Sequence, residues 1–195
     1  MSIETGNAPD LLAQAQAGDA NAFCALGRGY EERQLRVAMS VCGQPALAEE
    51  LAQDTLVEAW KSLPRYDGRA QFFTWLCAIL VHRHRNVLRA RRPFPFSFLG
   101  WGERNRVEEL LETAPDAQPL PDQAAQLDER NALLRRCLER LPARHRDVVY
   151  LRFYVDESLE SIAAALHCSV GTVKSRLFHA LDKLRSMREL TEGVE

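Results

Sequence analysis

The stretch from Ser158 to Leu184, SLESIAAALHCSVGTVKSRLFHALDKL, restricts what this chain can fold into more than any other part of it. Leu159, Ile162, Ala163 and Leu166 recur at i, i+3, i+4 and i+7, the spacing that lines up one apolar face of a short helix. Ser158 stands just ahead, where a hydroxyl caps free backbone N–H groups. The pattern breaks at His167-Cys168-Ser169. It restarts at Val170 and runs through Val173, Leu177, Leu181 and Leu184, with Ser169 as the expected N-cap. Two helices joined by so short a turn predict a helix-turn-helix. On the second helix Thr172, Lys174, Ser175, Phe178 and His179 are left facing outward. Lys and His donate to phosphates or guanine edges, Ser and Thr adapt to either, and Phe touches a thymine methyl. In such a motif the N-terminal part of the second helix enters the major groove. The same spacing also fits a plain helical hairpin with a solvated face.

The overall charge bears on that choice. With 25 Lys and Arg against 27 Asp and Glu, the chain carries a net charge of −2, whereas a stand-alone DNA binder is usually basic. Either the chain does not bind DNA, or it binds weakly alone and gains affinity from a partner. Its 195 residues allow one or two domains. No apolar run reaches the roughly 18 residues of a membrane span. The start, MSIETGNAPD, has neither the basic region nor the apolar core of a signal peptide, so a cytoplasmic protein is expected. The cysteines (Cys24, Cys42, Cys77, Cys137 and Cys168) are scattered and form no CxxC pair. That speaks against a disulfide framework or a zinc site and for buried small apolar residues. There is no phosphate-binding loop, metal cluster or nucleophile motif, so neither a cofactor nor a catalytic role is expected.

Along the chain, a short helix is predicted from Asp10 to Ala17, ended by Gly18. Asp19 then caps a longer one with Phe23, Leu26, Tyr30, Val37 and Val41 inward, ended by Gly43. Pro45 fits the first turn of the next helix, with Leu47, Leu51, Val57 and Trp60 inward and Glu50, Asp54 and Glu58 forming an acidic stripe. Such a stripe is usually a solvated face, or it docks on a basic partner. After a turn at 64–69, a helix is predicted from about Ala70, AQFFTWLCAILVHRHRNVLRARR. Its first half is aromatic and aliphatic and its second half basic. Trp75, His82, Arg85, Asn86 and Arg89 fall on one side of the wheel. Rings that stack on bases beside cations that hold the backbone suit an unpaired nucleic acid. The plainer reading is a core helix whose charged end reaches for water. His82 and His84, two apart, diverge and make a poor metal pair. From Pro93 to about Gln123 the composition turns Pro-rich and acidic, as in a linker. Phe94, Phe96, Phe98 and Trp101 suggest that part of it packs. Helical spacing returns near Ala124 with Leu127, Leu134, Leu138 and Leu141, and then Val148, Leu151 and Val155.

Three stretches in this order resemble a bacterial RNA polymerase sigma factor of the extracytoplasmic-function (ECF) group, group 4 of the sigma-70 family. They are AEELAQDTLVEAW (48–60), YDGRAQFFTWLCAILVHRHRNVLRARR (66–92) and LPARHRDVVYLRFYVDESLESIAAALHCSVGTVKSRLFHALDKLR (141–185). The resemblance implies an all-α protein of two small helical domains. Residues 1–93 would form the region 2 domain, for core binding and for recognition and melting of the minus-ten element. Residues 94–123 would be the flexible linker, and 124–195 the region 4 domain for the minus-thirty-five element. It implies that Glu50, Leu51, Gln53, Asp54 and Glu58 contact the β′ coiled coil of core RNA polymerase, with the β flap as a further contact. Arg69, His82, Arg85, Asn86 and Arg89 would face the minus-ten element, a flipped base being held at the loop 65–70. Thr172, Lys174, Ser175, Arg176, Phe178 and His179 would face the minus-thirty-five element of promoter DNA. It implies no small-molecule substrate, and an anti-sigma factor, often membrane-anchored, that masks these faces. Three residues depart from the family pattern: His82 where Asn is frequent, His167 where the turn often has Gly, and His179 where Arg is frequent. A non-Gly residue at positive φ is strained, though His tolerates it better than most. The alternative is a stand-alone helix-turn-helix regulator, which would need neither the acidic stripe nor the aromatic-basic helix.

Overall fold

The computed structural model describes the backbone of residues 8–91 and 122–187 and the side chains of residues 8–88 and 130–187. The expected linker, with Phe94, Phe96, Phe98 and Trp101, and the side chain of Arg89 lie outside the described residues. Every regular element among the described residues is helical. In order these are α1 (Ala8–Gln16), α2 (Ala20–Cys42), α3 (Pro45–Ser62), a 3-10 turn (Leu63–Arg65), α4 (Phe72–Arg91), α5 (Asp122–Glu139), α6 (Ala143–Phe153), α7 (Leu159–Ala165) and α8 (Val170–Arg185).

Local chemistry sets most of the ends. The Asp19 carboxylate accepts from the N–H groups of Asn21 and Ala22 and starts α2. Gly43, at φ 71°, ends it with its N–H on the Met39 carbonyl at 2.8 Å. Pro45 opens α3, where its missing N–H would have had no helical partner. Ser158 and Ser169 cap α7 and α8, accepting from Ser161 N–H at 3.0 Å and Thr172 N–H at 3.1 Å. Between them the chain turns through His167 at φ 50°. His167 N–H reaches the Ala164 carbonyl and Cys168 N–H the Ala163 carbonyl, the paired bonds of a Schellman ending. A histidine thus holds the left-handed position that glycine would take without strain. The fourth helix begins at Phe72, two residues after the expected Ala70, because Tyr66 Oη donates to the Ala70 carbonyl and holds it in the preceding turn.

Helix α2 packs on α1, α3 and α4; α8 packs on α6 and α7. These are the two expected helical units, but they do not stand apart. Leu26, Leu51, Leu63, Leu76 and Leu80 from the first, with Leu138, Leu151, Ile162 and Val173 from the second, are each at most 3% exposed and belong to one continuous buried cluster. Each such side chain contributes about 1.5–3 kcal/mol on burial. The join is α4, which contacts α6 and α7 as well as α2 and α3. Val57, expected inward, is 54% exposed on α3; Thr55 and Ala59 take the core face instead.

Candidate nucleic-acid interface

Helix α8 keeps its apolar side down through Val173 and Ala180, both fully buried. Lys174, Ser175, Phe178 and His179 are exposed on the other side, Phe178 at 64%. A phenylalanine ring that exposed lowers nothing by packing at home, which fits a surface that meets a partner. The His179 ring stacks on His145 of α6, centroids 6.1 Å apart, and meets Phe178 edge-on. Partial burial, then His179, Arg176 and Lys183, hold His145 below the ordinary imidazole range. Thr172 is half-buried, its hydroxyl 2.8 Å from that of the capping Ser169. Arg176 leaves the outer face: half-buried, it points back past Cys168, Nη1 to Sγ 4.0 Å, into a cleft between the two units. The spacing that turns Lys174 outward turns Arg176 the other way.

The loop 65–70 is held from several sides. Gln16 Nε2 of α1 donates to the Tyr66 carbonyl at 2.9 Å. Arg69 donates through its backbone N–H and its Nε to the Asp67 carboxylate, at 3.1 and 2.6 Å. The hydrogen bonds from Arg69 keep the Asp67 carboxyl below its usual range. Gly68, at φ 74°, supplies the left-handed turn. The loop is therefore shaped before any ligand arrives, with Arg69 exposed at its rim.

On α4 the expected stacking platform is corrected. Phe72, Phe73 and Trp75 are at most 9% exposed. They form an aromatic core with Tyr30 and Tyr66, Tyr66 and Trp75 being 4.9 Å apart. The rings pack against one another in the core. His82 and Asn86 are exposed. Partial burial, then the Arg85 and Arg83 guanidinium groups, push His82 below the ordinary imidazole range, so it is neutral at pH 7. A neutral imidazole offers one donor and one acceptor. Arg85 is not displayed: Nη1 donates to Asp147 Oδ2 of α6 at 3.1 Å, and its buried Nε has no partner. Asp147 is buried, and desolvation raises its carboxyl to about 6 against the pull of Arg85, Arg146 and Arg176. The ion pair and the raised value point in opposite directions. Here burial outweighs attraction.

The acidic stripe on α3 divides. Glu50 and Gln53 are exposed. Asp54 pairs with Arg83 of α4, and Glu58 lies 3.9 Å from Lys61 at the edge of the cleft. Leu51, expected at the contact, is 3% exposed and belongs to the core, since it is offset from the Glu50 face by one residue. The cleft itself, about 600 Å³, was not read from the sequence. Arg65, Arg144 and Arg176 line it with His82, Arg85 and Asp147. The basic run around Arg144 in LPARHRD was the visible signal, but only packing aims it at α4.

Comparison with known proteins finds the same two units in the same order. The family Sigma-70 region 2 matches residues 28–94, and Sigma-70, region 4 matches residues 137–186. The chain is 31% identical over 176 residues to the RNA polymerase sigma-H factor of Pseudomonas aeruginosa, covering 89% of this chain and 90% of that protein. It is 31% identical over 169 residues to the ECF RNA polymerase sigma factor RpoE of Cereibacter sphaeroides, covering 86% of each. Among solved structures, CnrH in complex with the cytosolic domain of CnrY is similar, with a TM-score of 0.62 and 26% identity over 95% of this chain and 97% of that one.

Proposed function

This chain belongs to the sigma-70 family of RNA polymerase sigma factors, in its ECF group, and from that premise we propose how its residues direct a core polymerase to promoters. It is a transcription initiation factor and not an enzyme. The observation that carries the reading is α8: a helix-turn-helix with both caps formed, presenting Lys174, Ser175, Phe178 and His179 to solvent within a chain of which a sigma factor matches 89%. A stand-alone regulator would not need the region 2 unit.

In this reading Lys174 holds a phosphate or guanine edge of the minus-thirty-five element, with Ser175, Phe178 and His179 beside it and Thr172 shaping the first turn. The unit that ends with α4 serves the minus-ten element. Arg69 of the preformed loop, with His82 and Asn86 of α4, takes up an unstacked base. Unstacking costs a few kcal/mol, which base capture offsets without catalysis. Glu50 and Gln53, with Asp54 and Glu58 beside them, offer the acidic face to the β′ coiled coil; the β flap meets the region 4 unit. Residues 94–123 link the two units. An acidic face engaged by the core also accounts for the net charge of −2, since phosphate contacts dominate DNA affinity and the free chain has few to spare. We assign a cytoplasmic location and an anti-sigma partner, membrane-anchored, that competes for these faces. CnrH was solved in complex with the cytosolic domain of CnrY.

Run-off transcription with core polymerase on a promoter library tests this. A promoter-dependent transcript that requires the chain is expected. Its absence, together with tight DNA binding by the isolated chain, would favour a stand-alone regulator.

A further inference from the structure

The cleft holds more positive charge than the fold itself uses. Guanidinium groups from Arg65, Arg85, Arg144 and Arg176 line it, against the carboxylates of Glu58 and Asp147. Both carboxylates are engaged: Asp147 accepts from Arg85 at 3.1 Å, and Glu58 lies 3.9 Å from Lys61. Among the described residues, Arg65, Arg144 and Arg176 form no ion pair. Arg65 ends the 3-10 turn of the first unit, Arg144 lies in the first turn of α6, and Arg176 sits on α8. Cations gathered from three separate elements repel one another unless an anion joins them. Arg65 and Arg144 are exposed, so packing does not require them there. Arg176 is half-buried, with Cys168 Sγ 4.0 Å from its Nη1, a weak acceptor for a guanidinium group. Another part of the wall is apolar. Ile79 of α4 and Leu166 at the end of α7, both half-buried, line the same space, with the exposed and neutral His82 nearby. A cavity of about 600 Å³ with a charged part and an apolar part suits a small molecule that has both.

We propose that this cleft is a binding site for a nucleotide. Arg65, Arg144 and Arg176 hold its phosphates, and its base lies against Ile79 and Leu166 with His82 at the polar edge. Arginine suits the phosphates because its planar fork donates two parallel N–H bonds to one phosphate. Three guanidinium groups without a carboxylate call for a nucleoside diphosphate rather than a neutral nucleoside. The volume admits one small molecule and not a duplex. The inference stands apart from the promoter reading, and its test needs no polymerase.

Isothermal titration of the full chain with ADP and GDP, free of magnesium, tests the site. At least one of the two is expected to bind and to raise the unfolding temperature by mass action. The parent nucleosides, which lack phosphate, should not bind. Pyrophosphate, which leaves the apolar wall unused, should bind about tenfold or more weakly than the nucleotide. Arg65→Glu and Arg144→Glu, one from each unit, should each weaken nucleotide binding by about tenfold or more. Arg28→Glu makes the same charge change on α2, outside the cleft, and should bind as the wild type does. A photoreactive azido analogue of the nucleotide that binds should label peptides of both units in the unaltered chain, a readout that needs no variant to fold. No heat with either nucleotide up to about 1 mM overturns the proposal. So does nucleoside or pyrophosphate binding as tight as that of the nucleotide, an equal loss in Arg28→Glu, or a label confined to one unit.

Discussion

Replacing Asp147 by asparagine separates two accounts of the join. If the Arg85–Asp147 pair is a staple, removing one partner of a buried ion pair costs about 3–5 kcal/mol. The environment of Asp147 argues the reverse. Burial raises its carboxyl from 3.8 to about 6 although Arg85, Arg146 and Arg176 all pull it down. That interval corresponds to about 3 kcal/mol spent on keeping the group charged in the folded chain at pH 7. Asparagine is neutral, has the same shape and still accepts from Arg85 Nη1 through its amide oxygen. Asp147→Asn should therefore be as stable as the wild type at pH 7, or more stable by up to about 3 kcal/mol. The assay is urea unfolding of the full chain followed by helical signal, repeated from pH 7 to pH 5. For a carboxyl raised in the folded state, the stabilising contribution is complete below the unfolded value and lost as pH rises through the folded one. From 3.8 and about 6, the wild type gains about 1.4 kcal/mol from this group between pH 7 and pH 5. The Asn variant lacks that increment. His82 and His145, both lowered, act with the opposite sign in both proteins, so the difference between wild type and variant isolates Asp147. A variant at least 3 kcal/mol less stable at pH 7, or two proteins with the same pH response, would refute the reasoning.

Other outcomes follow from the same geometry. Lys174→Ala should weaken promoter binding by the polymerase–sigma complex, lower the salt slope by about 1 and leave core binding intact, as read by anisotropy across a salt series. Glu50→Arg should abolish co-elution with core polymerase without loss of stability. It is a cleaner probe than Asp54→Arg, which would set a second cation beside Arg83. His167→Gly should stabilise the chain by about 0.5–1 kcal/mol in urea unfolding, because relief of the left-handed strain exceeds the added freedom of the unfolded chain.

Local chemistry was legible and long-range packing was not. Asp19, Gly43, Pro45, Ser158 and Ser169 each set the helix end expected of them, because a cap needs only its nearest neighbours. The left-handed turn at His167 came from the resemblance, which sets a histidine where the family's turn often has glycine. Faces were harder. Val57 and Leu51 follow a helical stripe, but the stripe alone does not say which edge meets the core. Trp75 and Arg85 share a side of α4, yet one is held by an aromatic cluster and the other by a carboxylate 62 residues away. One signal was overlooked. The run WLCAILV in α4 has no polar face, and a helix apolar all round is covered on more than one side. It announced a second packing partner without saying which.

The most direct measurement of the central claim is fluorescence anisotropy of one promoter fragment with the chain alone, core polymerase alone and the two together, at fixed salt. Weak binding by the chain, non-specific binding by the core and tight, sequence-dependent binding only by the pair is the predicted result. Tight, sequence-dependent binding by the chain alone, unaltered when core is added, would contradict it.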